Sequence, residues 1–282
     1  MKHIFLNLKR FDVPVSLGGV NRLAPVNQWA ETIVQKTQDG LDHFPQDTEF
    51  AMFFPEAHLL PAVQACKSGS RIEIGCEGVF REDVKPGGNF GAFTTNRPAA
   101  AAKALGCNYA LIGHCEERND LKGILAKAGV TGKAAAEVVN GILNEEICCA
   151  QEQGMKVLYC IGETSKEQEC WQEVLGSQLE TGLADTDLQK ITIGYEPVWS
   201  IGPGKTPAGR EYIQKIARFV KNSAKNIDVV YGGGLKKDNA AMLASIPEID
   251  GGLIALTRFA GEIGFYPEEY LEIASLYLHA DV

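Results

Sequence analysis

The chain has 282 residues, of which 45% are hydrophobic and 22% are charged, so enough apolar side chains exist to exclude disorder as its main state. Its 27 basic and 36 acidic residues leave a net charge of −9, which argues against nucleic-acid binding. The length fits two domains of about 150 residues, but an α/β barrel often uses about 200 to 250 residues as one domain.

Eight short runs rich in β-branched and aromatic residues predict β-strands along the whole chain. Several of them, such as residues 157–161, are continuously apolar, as expected for parallel strands that are covered on both faces. The predicted strands are residues 3–8, 49–54, 71–76, 109–113, 156–161, 191–196, 227–231 and 252–256.

Longer stretches between these runs have helical composition. In one of them, Val138, Ile142, Ile147 and Ala150 recur close to a 3.6-residue period and predict the buried face. The predicted helices include residues 29–38, 98–105, 134–153, 166–179, 209–223, 238–245 and 267–279.

The strands and helices alternate without a linker or a shift in composition. We therefore expect one α/β domain over residues 1–282, a single (β/α)8 barrel, with an open doubly wound sheet as the alternative. Glycine-rich insertions at residues 17–20, 85–89 and 129–133 predict longer βα loops than usual.

The eight cysteines show no metal-ligand spacing, because neither a CxxC nor an HExxH pattern occurs. We expect reduced thiols, most of them small buried hydrophobes, and no metal or cofactor. The first residues contain no apolar signal core, and no run approaches the ~20 apolar residues of a membrane span. These features predict a cytoplasmic protein without membrane contact.

Reactive residues of a barrel collect after the C-terminal ends of its strands, because the βα loops meet there. Asn7 lies at the end of the first predicted strand and Lys9 directly follows it, His114 and Glu116 follow the fourth, and Glu196 ends the sixth. Each has an ordinary interpretation: a surface lysine, a structural histidine, or a glutamate that ends a strand. Together, a carboxylate base, an imidazole and a fixed cation can move protons at a carbon beside a carbonyl.

Residues 202–206 read Gly-Pro-Gly-Lys-Thr, but a phosphate-binding Walker motif would need glycine where Trp199 stands. A stiff start and glycines near the end suit a lid that moves as a body, although a plain surface connection remains the alternative. The glycines at positions 232–234 end the seventh predicted strand, where backbone N–H groups can approach an anion.

At these residues the chain resembles the triosephosphate isomerase family. The similar segments follow one another in order over nearly the whole chain, and they are residues 7–9, 91–94, 113–116, 160–164, 195–206 and 231–233. The resemblance implies a TIM barrel, a homodimer, and a cofactor-free isomerisation of a small sugar phosphate within glycolysis and gluconeogenesis.

The resemblance also implies roles for individual residues. Glu196 is similar to the catalytic base, His114 to the neutral electrophile and Lys9 to the cation that stabilises an enediolate, with Asn7 and Glu116 beside it. The remaining roles fall on a lid (Pro197, Val198, Trp199, Lys205, Thr206), a phosphate site (Gly202, Gly234, Ala255, Leu256) and the dimer interface (Thr94).

Departures from the family pattern leave alternatives open. Gly234 stands where the family has serine, and Ala255-Leu256 replace a glycine pair, so a related isomerase of a larger sugar phosphate is a second hypothesis. A non-catalytic barrel is a third. Arg258 would supply a replacement charge if its side chain turned inward. Further departures are Leu8 for tryptophan, Cys115 for serine, Glu117 for arginine and Asn96 for glutamate.

Overall fold

A computed structural model of the chain describes residues 1–202, 204–225 and 227–279. Eight parallel strands follow one another around a closed barrel, and the last strand pairs with the first. The strands are β1 (Lys2–Asn7), β2 (Thr48–Phe54), β3 (Ile72–Glu77), β4 (Tyr109–Ile112), β5 (Lys156–Ile161), β6 (Ile191–Tyr195), β7 (Asp228–Tyr231) and β8 (Gly251–Ile254). All eight predicted strands are confirmed, with ends that differ by one or two residues at most.

The pairing register sets which side chains fill the barrel. Leu6 of β1 lies opposite Met52 on one side and Ile254 on the other. Phe5 points into the barrel interior with Phe53 and Tyr109, whereas its neighbours in β1 pack against the outer helices. Both faces of the strands are therefore buried, which explains the continuous apolar runs in the sequence.

Nine α-helices surround the barrel within the described residues. They are α1 (Trp29–Leu41), α2 (Glu56–Ala65), α3 (Ala99–Ala104), α4 (Cys115–Lys127), α5 (Gly132–Glu152), α6 (Trp171–Gly182), α7 (Arg210–Ser223), α8 (Ala240–Ala244) and α9 (Pro267–Leu278). Seven match the predicted stretches, and α6 begins five residues later than predicted because a 3-10 turn precedes it. Two helices, α2, which contains Pro61, and α4, were not among the predicted stretches.

The predicted buried face of α5 is wrong in part. Val138 is 44% exposed, and Val139 and Leu143 take the core-facing positions together with the correctly predicted Ile147. The helix starts two residues earlier than expected and runs for 21 residues, so the predicted loop at residues 129–133 is instead a short turn between α4 and α5.

The other two predicted insertions are loops, at residues 17–20 and 85–89. A further extension lies between β8 and α9, where Arg258 and Gly264 form an isolated antiparallel bridge. All eight cysteines are free, but only Cys76, Cys107 and Cys160 are buried and Cys170 is exposed, so the expectation that most are buried is wrong. Within the described residues, no helix has both the length and the apolar character that a membrane crossing requires.

Candidate active site

The C-terminal ends of β1, β4 and β6 bring five of the predicted polar side chains together. Asn7 is the last residue of β1, and Glu196 directly follows β6. His114 precedes α4 as its N-cap, and Glu116 lies in the first turn of that helix. Closure of the barrel therefore places residues that are 189 positions apart, from Asn7 to Glu196, around one opening.

Lys9 is held by contacts at both its backbone and its ammonium group. Its φ of 44° lies in the left-handed region, which costs a non-glycine residue about 1–2 kcal/mol. Its N–H donates to Asn7 Oδ1 at 3.1 Å, and its Nζ donates to Glu116 Oε1 at 2.8 Å. Burial opposes the ionisation of Glu116, but the Lys9 contact outweighs it and lowers the pKa of that carboxyl. These contacts therefore hold the Lys9 ammonium in place beside the ionised carboxylate of Glu116.

The tautomer of His114 follows from its own helix cap. The N–H of Glu116 donates to His114 Nδ1 at 3.3 Å, so Nδ1 is an acceptor and the neutral ring carries its proton on Nε2. Nε2 faces Glu196, with 3.1 Å between it and Oε1. The imidazole therefore presents an N–H donor toward the barrel opening.

Glu196 is only 2% exposed, and its two oxygens have different surroundings. Oε2 accepts the N–H of Cys115 at 2.8 Å. Oε1 lies near His114 Nε2 but out of line for a hydrogen bond, and it has no hydrogen-bond partner among the described residues. A Cβ at Gly232 would lie 2.8 Å from Glu196 Cγ, so glycine at that position leaves room for the carboxylate side chain.

The predicted lid is anchored at one end and exposed at its tip. Trp199 lies in a 3-10 turn, and its Nε1 donates to the fully buried Glu163 at 2.8 Å. The remaining predicted lid positions include buried Pro197, half-buried Val198 and exposed Gly202, Lys205 and Thr206. Pro203 lies outside the described residues. No atom lies within 4 Å of the position that a Gly202 Cβ would occupy, so open space lies on that side of the residue.

The predicted phosphate positions lie on the loops after β7 and β8. Gly234 has a φ of 96°, which favours glycine there, whereas Ala255 and Leu256 are half-buried. Among the described residues, the N–H groups of Gly234, Ala255 and Leu256 donate to no protein acceptor. Three N–H donors are therefore available to an anion at these loops.

Lys236 brings a cation to the same two loops, although it was not among the residues predicted from the sequence. Its Cε lies 3.3 Å from the position of a Gly234 Cβ, so its side chain runs beside the space where the family has a serine. Its Nζ lies 4.1 Å from the centroid of the Phe259 ring, and it has no carboxylate partner in the described part of the chain. In the sequence, this cation could have been recognised as a lysine two positions after the glycines at 232–234.

The Arg258 side chain is paired with an acidic residue of α9. Its guanidinium donates to Glu269 Oε1 at 2.6 and 3.1 Å and stacks 3.8 Å above the Tyr266 ring. In this structure an acidic residue of α9 therefore holds the Arg258 side chain, which pairs its charge with a carboxylate.

A cavity of about 370 Å³ extends from Lys9 and His114 to Glu77 at the end of β3. Burial raises the pKa of Glu77 to about 7, although Arg97 and other cations oppose the shift. Glu117 also lines this cavity, and burial raises the pKa of its carboxyl. Thr94 is exposed on the loop between β3 and α3.

These features define a (β/α)8-barrel protein in which carboxylate, imidazole and ammonium groups meet at the C-terminal ends of the strands. The family model described as triosephosphate isomerase matches residues 23–262. The chain is 33% identical to triosephosphate isomerase from Marinobacter nauticus over 239 residues, which cover 81% of this chain and 83% of that protein. It is 34% identical to the enzyme of that name from Chlorobium phaeovibrioides over 71% of this chain and 78% of that protein.

A crystal structure of triosephosphate isomerase from Bartonella henselae has the same fold. It superposes with a TM-score of 0.69 at 24% identity, and the alignment covers 98% of each chain. The chain belongs to the triosephosphate isomerase family and is an isomerase.

Proposed function

We propose that this chain interconverts dihydroxyacetone phosphate and glyceraldehyde 3-phosphate through an enediolate. The observation that supports this best is the position of Glu196, which is buried with an unpartnered Oε1 that lies 3.1 Å from His114 Nε2. A base and a hydrogen-bond donor side by side can serve neighbouring carbon and oxygen atoms of one substrate.

In the proposed reaction, Glu196 takes a proton from the carbon beside the carbonyl. The C–H electron pair becomes the C=C bond of the enediolate, and the negative charge moves to the carbonyl oxygen. His114 Nε2–H and the Lys9 ammonium stabilise that oxygen, which is electrostatic stabilisation by fixed groups. Glu196 returns the proton to the former carbonyl carbon, while the hydroxyl proton moves through the His114 imidazole from the oxygen on the first carbon to the former carbonyl oxygen. The new carbonyl forms on the first carbon, so no metal, cofactor or net redox change is needed.

The phosphate group would bind between the loops after β7 and β8. The N–H groups of Gly234, Ala255 and Leu256 supply donors, and Lys236 supplies a positive charge. Closure of the lid would bring the Gly202 N–H to the phosphate and exclude water, which protects an enediolate from loss of phosphate. Lys9 and Lys236 together provide local positive charge within a chain of net charge −9.

The decisive experiment is a coupled assay on protein purified from a host that lacks its own triosephosphate isomerase. We expect turnover of dihydroxyacetone phosphate by the wild type and none above background by Glu196→Gln, which controls for contamination. Tetrose and pentose phosphates should react with lower kcat/KM. No turnover of the triose phosphate, or a higher kcat/KM on a larger sugar phosphate, would overturn the proposal.

We also propose a homodimer in the cytoplasm, built from a single domain of residues 1–282. The exposed loop between β3 and α3 supports the dimer, because Phe90 on it is 87% exposed and a cavity beside Lys9 could receive such a loop. Sedimentation equilibrium should give twice the mass of one chain, and Phe90→Asp should shift the population toward the monomer. A monomeric wild type would contradict the dimer.

A further inference from the structure

Three metal-binding side chains meet at the catalytic opening. One ligand atom each from His114, Cys115 and Glu196 lies within 4.8 Å of the others. His114 and Cys115 are adjacent at the start of α4, and Glu196 follows β6. An imidazole nitrogen, a thiolate sulfur and a carboxylate oxygen all bind Zn²⁺, and three protein ligands leave a fourth position for water.

The spacing of these atoms is close to what a tetrahedral zinc ion requires. Bonds of about 2.0–2.3 Å separate neighbouring tetrahedral ligands by about 3.3–3.6 Å. His114 Nε2 and Glu196 Oε1 are 3.1 Å apart, whereas Cys115 Sγ lies 3.8 Å from the other ring nitrogen, Nδ1, so the Cys115 side chain must rotate toward Nε2 for all three residues to reach one ion. Small side-chain rotations would therefore bring one atom of each residue to bonding distance.

The carboxylate of Glu196 gives an independent indication. Glu196 is 2% exposed, yet its Oε1 has no hydrogen-bond partner in the described residues. A buried, unpartnered carboxylate oxygen is costly unless something occupies the space before it. During turnover, the substrate proton would be the partner of Glu196 Oε1. In the absence of substrate, a bound cation would be its partner.

We propose that Zn²⁺ binds to His114, Cys115 and Glu196 and reversibly inhibits the isomerase. The inhibition rests on the proposed function, whereas the binding itself does not. Binding forms a Zn–S bond and releases the thiol proton of Cys115 to solvent. The bound ion occupies both the base and the imidazole, so substrate and zinc exclude each other. Cys115 creates the site, because a serine hydroxyl in its place would be a poor ligand for zinc.

Zinc titration of the isomerase, monitored by activity, tests the proposal, with Cys115→Ser as the variant and Cys170→Ser as the matched control. Cys170 is exposed and lies outside the site. We expect Zn²⁺ to inhibit the wild type and Cys170→Ser equally and reversibly by EDTA. For Cys115→Ser, compared with its own zinc-free activity, the inhibitory concentration should rise by about tenfold or more. Equal sensitivity of all three proteins would overturn the proposal.

A second measurement does not depend on turnover. Co²⁺ bound through a thiolate absorbs in the near ultraviolet, so wild type and Cys170→Ser should show this band and Cys115→Ser should lack it. If the band appears but the triose phosphate is not turned over, the metal site stands and the proposed function fails. If turnover is normal and the band is absent from the wild type, the metal site fails alone.

Discussion

The carboxylate of Glu196 and the imidazole of His114 come from different strands, so their 3.1 Å separation depends on the length of each side chain. Glu196→Asp removes one methylene and withdraws the carboxylate by about 1.5 Å. A misplacement of about 1 Å can cost about a hundredfold in rate, so we expect kcat to fall by about that factor. Steady-state kinetics measure it. A kcat equal to that of the wild type would rule out Glu196 as the base.

The predicted phosphate site on the loops after β7 and β8 gives a second prediction for a single residue. Lys236→Met keeps most of the side-chain stem beside Gly234 and removes the charge. A charged hydrogen bond contributes about 1.5–3 kcal/mol, so we expect KM for the triose phosphate to rise about tenfold or more while kcat changes little. Steady-state kinetics at fixed ionic strength separate the two parameters.

Lys237→Met is the matched control for Lys236→Met. It removes the same charge one residue later, but the Lys237 ammonium is paired with Glu272 of α9 at 2.6 Å. Its KM should remain near the wild-type value. If both variants raise KM equally, general attraction of the anion explains the effect, and Lys236 has no specific role.

At the scale of the elements, a glutamate in the loop after β5 holds the lid segment that follows β6. Oε1 of Glu163 accepts from Trp199 Nε1, Tyr195 OH and Tyr212 OH, at 2.8 to 3.0 Å. Trp199→Phe removes the contact from the lid and keeps an aromatic ring beside Tyr212. We expect a loss of about 1 kcal/mol in the free energy of unfolding and a fall in kcat of about threefold or more. Denaturant unfolding and steady-state kinetics measure these effects.

Tyr212→Phe provides the comparison, because it removes a bond to the same oxygen from α7 instead of from the lid. It should lose similar stability and retain kcat. If kcat fell equally in both variants, the contact between Trp199 and Glu163 would only stabilise the fold. The prediction that this contact anchors the lid would then be wrong.

Prediction of the elements from sequence succeeded where local pattern is sufficient. The strands were found because burial on both faces makes each one a continuous apolar run. The sequence pattern placed Val138 on the buried face of α5, whereas its neighbour Val139 is buried. The pattern was misleading because an alanine and a glutamate occupy part of that face. Ala135 and Glu146 face inward there, and neither contributes to a pattern based on large apolar residues.

For the whole molecule, buried carboxyl groups should make stability depend on pH. Burial raises the pKa of Glu146, and the nearby Glu117 raises it further. Burial also raises the pKa of Glu117, and of Glu77 to about 7. An acid with a raised folded pKa stabilises the fold below its unfolded pKa of about 4.3, and this contribution is lost as pH rises toward the folded value. The melting temperature should therefore fall from about pH 5.5 to about pH 8.

Glu146→Gln tests this pH dependence, because glutamine cannot ionise beside Glu117. We expect it to raise the melting temperature at about pH 8, and by less at about pH 5.5, because the cost of keeping a protonated carboxyl in the fold grows as pH rises above its unfolded pKa of about 4.3. Glu145→Gln removes the same formal charge from an exposed neighbour and should have little effect at either pH. A lower melting temperature for Glu146→Gln at the higher pH would contradict the argument.

The sequence by itself determined the barrel, the order of its strands, and the candidates Asn7, Lys9, His114, Glu116 and Glu196. Periodicity and residue type are local properties, and the C-terminal ends of barrel strands always meet at one face. The comparisons support the family that the resemblance indicated.

Only the tertiary structure decided which distant side chains touch. Closure of the barrel places Cys115 against Glu196, 81 positions away, and the extension after β8 places Phe259 over Lys236. Glu269 of α9 holds the Arg258 guanidinium through two hydrogen bonds, a contact that no linear spacing indicates. These contacts depend on three-dimensional packing between elements, and they therefore appear only when the chain has folded.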